Sequence, residues 1–232
     1  QDNVTPSLSF TNTFGLQLRR PPRNARGINE PVIVSPAPSN ECSTVARRDG
    51  AIEVYFITKP IDDSVSFIRS EDGGFTWSEP RVAFKIPGRA YHAVKVIETS
   101  DGALHAVFHL RGEGPGGYRG RLYEVYCTKL PLGASTWSES RRIVSGYVGS
   151  IRGLIQLKAG RLVLSVARAI SERENAPSTG PDYGWHDVFV YTSDDLGETW
   201  QQSPDALRLE LHSKNNTRYG AVEPIPLELK DG

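Results

Sequence analysis

From about residue 30 onward, short runs of alternating apolar and polar residues are separated by glycine-containing turns. No long stretch has the 3.6-residue period of a helix, so the pattern predicts an all-β protein. The predicted strands fall into three similar sets: 42–48, 52–58, 64–69 and a short strand near Val82; 90–97, 104–110 and 121–129; 150–157, 161–167 and 186–192. Residues 218–230 then repeat the opening of the other sets.

A turn motif returns within these sets. Residues 70–77 read SEDGGFTW and residues 193–200 read SDDLGETW, so both fit S-x-D-x-G-x-T-W. In such a turn Ser and Asp oxygens accept hydrogen bonds from nearby amides, Gly supplies a positive φ, and Trp packs back on the sheet. A third Thr-Trp pair, at 136/137, makes the spacing about 60 residues, which is typical of a repeat architecture.

This motif resembles the Asp box of the sialidase-like (BNR-repeat) β-propellers, where it joins the third and fourth strands of a blade. The resemblance implies four-stranded antiparallel blades in a propeller that is six-bladed when complete, of which this chain covers about half. Residues 1–30 then form a polar N-terminal arm, and residues 31–232 form three blades plus the first strand of a fourth. Because a propeller closes on itself to remove its sheet edges, we expect a second polypeptide, another copy or a missing segment to complete it.

The net charge and the processing signals indicate which partners are excluded and where the protein is located. The chain has 27 basic and 27 acidic residues, which argues against nucleic acid and against an acidic membrane surface. No apolar run is long enough for a membrane span. The chain opens on Gln1, and two glycosylation sequons begin at Asn3 and Asn215, so we expect a mature secreted protein.

The two cysteines, Cys42 and Cys127, are too few for a disulfide framework and wrongly spaced for a metal site. A disulfide bond between them is one alternative, but the repeat places Cys42 on an inner strand and Cys127 on a more peripheral strand of the next repeat. We therefore expect two buried free thiols.

In sialidase-like propellers the Asp boxes lie on the face away from the active site, so the resemblance places function at the opposite face. There the inner strands start, the second strands end, and loops lead into the third strands. The candidates are Glu41, His92, Arg152 and Glu223 on inner strands; Lys59, His109, Arg111 and Arg168 at second-strand ends; and Tyr118, Arg119, Arg121, Trp185 and His186 in loops.

This set is mostly cationic although the chain as a whole is neutral, so a local anion site follows as a hypothesis. Arg pairs with a carboxylate or sulfate in a bidentate manner, His acts as base or acid near neutral pH, and Tyr donates a proton or acts as a nucleophile. Each residue also has a structural interpretation: His92 and His109 are also compatible with packed strand residues. Arg152 opens an otherwise apolar strand, which favours a functional role.

Glu223 has the closest family counterpart. In sialidases a Glu near the start of the corresponding strand, followed by a leucine-rich segment and D-G, polarises a tyrosine nucleophile; residues 227–232, LELKDG, look like that continuation. The Arg-Ile-Pro motif that opens the first sialidase blade is absent at 41–44, and Ala90-Tyr91-His92 stands where the acid/base Asp would be.

Three functions follow as hypotheses. The first is a secreted glycosidase on an acidic or decorated glycan, with Glu223, His92 and His109 as catalytic residues and Arg152, Arg111, Glu41, Tyr118 and Arg168 as binding residues. The second is a uronate-specific polysaccharide lyase, with Arg neutralising the carboxylate, His92 or His109 as base and a Tyr as acid. The third is a non-catalytic glycan-binding propeller. None requires a cofactor; the architecture would accept calcium in its channel, but no ligand pattern calls for it.

Overall fold

The computed structural model describes residues 39–58, 63–112, 122–146, 148–169, 186–208 and 221–230. Within these ranges the chain forms twelve β-strands in three four-stranded antiparallel sheets and no helix, so the all-β prediction is confirmed. None of the described elements is therefore a helix able to cross a membrane. The arm predicted at residues 1–30 lies outside the described residues.

Each sheet follows the chain order and is called a blade here. Blade I contains β1 (Ser39–Ala46), β2 (Ile52–Thr58), β3 (Ser64–Ser70) and β4 (Arg81–Phe84). Blade II contains β5 (Ala90–Glu98), β6 (Leu104–Gly112), β7 (Leu122–Leu130) and β8 (Arg141–Val144). Blade III contains β9 (Val148–Gln156), β10 (Leu162–Ala169), β11 (His186–Ser193) and β12 (Gln201–Gln202). The predicted strands overlap the observed ones in all three blades.

Two apolar layers hold the blades together, one on each face of blade II. The strand β6 explains this arrangement, because successive side chains of a strand point to opposite faces. Phe108 and Leu110 pack toward blade I, whereas Val107 packs with Ile151 and Leu164 of blade III. Every residue of β6 from Leu104 to Leu110 is buried, so both faces of the strand are covered, and only His105 and His109 interrupt the apolar sequence of this run.

One contact between successive blades is repeated. The corner after each inner strand donates a backbone N–H to a side-chain oxygen of the next inner element. These bonds run from Arg48 to Glu98 Oε2 (2.8 Å), from Ser100 to Gln156 Oε1 (2.6 Å) and from Lys158 to Glu228 Oε1 (2.9 Å). Residues 221–230 therefore occupy the position next to blade III that β5 occupies next to blade I. No strand ladder joins these residues to the described part of the chain.

The S-x-D-x-G-x-T-W turns have the expected internal hydrogen bonds. The carboxylate of Asp72 accepts from the backbone N–H groups of Phe75 and Thr76 and from the Thr76 hydroxyl. In the second turn the Thr199 hydroxyl and amide hold the pKa of Asp195 down at about 2. Both turns follow the third strand of a blade, at the end of the sheets opposite the start of β1. The Asp72 and Asp195 carboxylates accept hydrogen bonds from residues of their own turns.

The two cysteines are free, and Cys127 is buried as expected. The expected burial of Cys42 is wrong, because its side chain is exposed. On β1, Ser43 and Val45 are buried, and Val45 packs against blade II. Cys42 and Thr44 alternate with them and face away from that core.

Candidate functional site

Each inner strand carries a bulge near its start, and a polar residue lies in each bulge. The register of β1 on β2 shifts around Glu41, that of β5 on β6 around His92, and that of β9 on β10 around Arg152. A bulge bends its strand and re-aims the side chain of the extra residue. All three side chains are half-buried rather than fully buried, and they lie at the end of the sheets opposite the S-x-D-x-G-x-T-W turns.

Arg152 forms ion pairs with two other predicted site residues, Glu41 and Glu223. Its Nη1 lies 2.7 Å from Oε2 of Glu41 in blade I, and its Nη2 lies 2.5 Å from Oε1 of Glu223. The hydrogen bond to Glu223 raises the pKa of the Arg152 guanidinium, with a further contribution from Glu41 and against the effect of burial. The Nε atom of Arg152 is buried and has no hydrogen-bond partner among the described residues. One cation thus connects blades I and III and the segment 221–230.

Glu223 is held in an unusual backbone conformation. Its φ is +58°, a region that residues other than glycine seldom adopt. Two serine hydroxyls of blade III fix this part of the segment: Ser150 Oγ accepts from the backbone N–H of Glu223 at 2.9 Å, and Ser165 Oγ donates to the carbonyl of Pro224 at 2.9 Å. The fixed backbone aims the Glu223 carboxylate at Arg152.

Three aromatic rings pack together in blade II, near enough to Arg152 for its charge to affect the pKa of one of them, His109. The rings of His92 and His109 are stacked, with centroids 5.8 Å apart and planes 10° from parallel. The ring of Tyr123 lies 4.8 Å from that of His92 and 5.7 Å from that of His109. We call these residues the His-His-Tyr cluster.

Within the cluster the two imidazoles differ in exposure. His109 is 1% exposed, and neither ring nitrogen has a hydrogen-bond partner in the described part of the chain. Burial lowers the pKa of His109 to about 3, helped by the nearby charges of His92 and Arg152. His109 is therefore neutral at physiological pH. Of the two imidazoles, that of His92 is the one that a ligand can reach, because it is only half-buried, whereas the neighbouring Tyr123 is 6% exposed.

Tyr123 was missed by sequence reasoning, which looked for a tyrosine in the loop at Tyr118. Tyr118 lies outside the described residues, as do Lys59, Arg119, Arg121 and Trp185. Tyr123 pairs with Arg111 across the β6–β7 ladder, on the face that carries His109. Strand pairing was the signal that could have found it, because directly paired residues share a face of the sheet.

The remaining predicted residues are distributed around this centre. Arg111 is exposed on the same face as His109, at the rim of the cluster. Arg168 donates to Oε1 of Gln202 at 3.5 Å, on the outermost strand of blade III, so the structure does not bring it to the cluster. His186 is buried, and a Cβ added at Gly149 would lie 2.6 Å from its Nε2, so this glycine leaves room for the ring.

Metal binding has no support among the residues that the structure describes. In these ranges no group of three or more His, Cys, Asp or Glu side chains is placed to hold an ion. The expectation that no cofactor is required stays a prediction.

No protein-family model matches this chain, and no curated protein matches it in sequence. Solved structures do match its fold. A protein of unknown function from Dyadobacter fermentans has a TM-score of 0.54 at 16% identity, over 71% of this chain and 54% of that one. An ulvan lyase, from a new family of polysaccharide lyases, has a TM-score of 0.50 at 14% identity, over 69% and 42%. The Trypanosoma rangeli sialidase, solved with the inhibitor DANA, has a TM-score of 0.52 at 14% identity, over 83% and 33%.

The chain forms part of a β-propeller. It spans from 33% to 54% of the length of these three structures. At such low identities the likeness shows the fold. In a propeller the innermost strands surround a central channel, so Glu41, His92 and Arg152 lie together at one mouth of that channel.

Proposed function

We propose that this chain is part of a carbohydrate-active propeller that cleaves an acidic polysaccharide by β-elimination at a uronate residue. The observation that carries the proposal is the His-His-Tyr cluster beside Arg152, which puts an imidazole, a phenol and a guanidinium at one mouth of the channel. The fold likeness to a polysaccharide lyase and to a sialidase supports the carbohydrate theme.

β-Elimination at a uronate needs three groups. A cation must neutralise the carboxylate, because the C5 proton beside it is otherwise too weakly acidic to be removed. A base takes that proton, and an acid protonates the leaving oxygen. The C5–H and C4–O bonds break, a C4=C5 double bond forms, and the leaving sugar departs with a hydroxyl group.

The described residues can supply each group. Arg152 would bind the carboxylate, because a guanidinium matches it in a bidentate manner. His92 is the half-buried imidazole and would act as the base, and Tyr123 would protonate the leaving oxygen. His109 is buried against both rings and would position them.

The proposal is tested by following the ultraviolet absorbance of the C4=C5 bond on uronate-containing polysaccharides. We expect absorbance with the unmodified protein and its loss in His92→Ala and in Tyr123→Phe. His105→Gln is the matched control, because His105 lies on the same face of β6 as His109 but at the other end of the sheet. Shortened polysaccharide chains without the absorbance would refute elimination.

A glycosidase is the second candidate. The observation in its favour is that two carboxylates, Glu41 and Glu223, converge on Arg152, since paired carboxylates are the usual machinery of glycoside hydrolysis. Glu223 would then be catalytic, as the sialidase resemblance implies. A Glu223→Gln variant that loses hydrolysis would favour this function. Glycan binding that persists in Glu223→Gln and His92→Ala, with no turnover in the unmodified protein, would favour a non-catalytic propeller.

We also propose that a second polypeptide or a further segment completes the propeller. Three apolar side chains of the segment 221–230 support this: Ile225, Leu227 and Leu229 alternate with half-buried residues and are exposed. Such alternation is typical of an inner strand with one face still to be covered. Secretion stays a prediction from the sequence.

A further inference from the structure

We infer that Glu223 competes with the substrate carboxylate for Arg152 and thereby sets the affinity of the site for acidic glycans. The inference rests on the proposed function, because it assigns Arg152 to the substrate carboxylate. It gives Glu223 a role in affinity rather than in bond cleavage.

The two terminal nitrogens of Arg152 are already occupied, Nη1 by Glu41 and Nη2 by Glu223. A bidentate carboxylate needs two parallel N–H groups of the guanidinium. The two glutamates accept from two of the five N–H groups of the guanidinium, so a substrate carboxylate that binds across Nη1 and Nη2 competes with them for that end of Arg152.

The two glutamates differ in exposure. The side chain of Glu41 is 28% exposed, whereas that of Glu223 is 57% exposed. A more exposed carboxylate regains more hydration when it swings out, so Glu223 is the one that a ligand displaces. Its backbone stays fixed, because Ser150 accepts from the Glu223 N–H and Ser165 donates to the Pro224 carbonyl, so only the side chain has to rotate.

One guanidinium between two carboxylates carries a net charge of −1, from one positive and two negative groups. An arriving uronate raises the negative charge further unless Glu223 moves away. Removing the Glu223 charge leaves a neutral Arg152–Glu41 pair, which accepts an anion at lower cost.

The test is the Glu223→Gln variant, with Glu228→Gln as the matched control. Glu228 lies on the same segment but accepts a hydrogen bond from the backbone of Lys158 and makes no bond to Arg152. An exposed ion pair contributes up to about 1 kcal/mol, so we expect KM for elimination to fall roughly two- to fivefold in Glu223→Gln with kcat unchanged. Glu228→Gln should match the unmodified protein.

Calorimetry with a glucuronate oligosaccharide and a matched glucose oligosaccharide tests the role of Glu223 in affinity separately from the proposed elimination activity. Tighter glucuronate binding in Glu223→Gln, with unchanged glucose binding, supports the inference even if no elimination occurs, in which case the proposed function alone fails. An unchanged or weaker affinity for glucuronate overturns the inference. A loss of turnover in Glu223→Gln also overturns it and supports a catalytic Glu223. Thermal unfolding of each variant checks that the fold is intact.

Discussion

Replacing Arg152 is the most informative single perturbation, because this side chain connects Glu41 and Glu223 at the mouth of the channel. Arg152→Ala removes the cation and leaves two carboxylates facing each other. Arg152→Lys keeps the charge, but an ammonium lacks the planar fork that holds two carboxylates at once.

The expected loss of stability in Arg152→Ala follows from the solvent exposure of its ion pairs. The Arg152 side chain is 29% exposed and that of Glu223 is 57% exposed, so solvent screens both ion pairs. Each pair then contributes about 0.2–1 kcal/mol, so the loss of both in Arg152→Ala should lower the free energy of unfolding by about 0.4–2 kcal/mol. Loss of the group that neutralises the reacting carboxylate should lower kcat/KM by about a hundred- to a thousand-fold.

Denaturant unfolding and the elimination assay measure the two effects separately. Arg161→Ala is the control, because Arg161 makes a bidentate pair with Asp194 at 2.6 and 2.9 Å on an exposed part of blade III. We expect that variant to retain its activity. If Arg152→Ala and Arg152→Lys also retain kcat/KM on an acidic glycan, the assignment of Arg152 to the substrate carboxylate is refuted.

Two further predictions concern the core and acid stability. Phe108→Ala opens a cavity between blades I and II and should lower the free energy of unfolding by about 3–5 kcal/mol, measured with denaturant; a loss below about 1 kcal/mol would contradict the described packing. His109 has a folded-state pKa of about 3, below its ordinary value, so the unfolded chain binds the extra proton first and stability should fall as pH drops from about 6.5 toward 3. His109→Gln should flatten this dependence, and an unchanged pH profile would show that His109 is not buried neutral.

Local patterns predicted most of the fold. Alternation along β2 and β6 identified strands that the structure confirms, because a strand with a buried face must alternate or be apolar throughout. The repeated turn at Asp72 and Asp195 was also readable, since its hydrogen bonds join residues four positions apart or closer. That Glu41 and Arg152 share one end of the sheets followed from their common place at inner-strand starts.

The rest depends on packing between strands that are distant in sequence. Tyr123 joins the cluster through its pairing with Arg111, and no local pattern marks that register. Cys42 is exposed because it lies on the face of β1 opposite to Ser43 and Val45, and which of the two faces packs on blade II depends on contacts between blades. The positive φ of Glu223 is held by Ser150, which is 73 positions away, so a local pattern could not suggest it.

The identity of the cleavage product tests the central claim most directly. The protein is incubated with a uronate-containing polysaccharide in water enriched in heavy oxygen, and the products are weighed by mass spectrometry. Elimination predicts a non-reducing end that lacks one molecule of water, with no heavy oxygen incorporated. Products that carry heavy oxygen and a saturated terminal sugar would show hydrolysis and contradict the assignment of His92, Tyr123 and Arg152 to β-elimination.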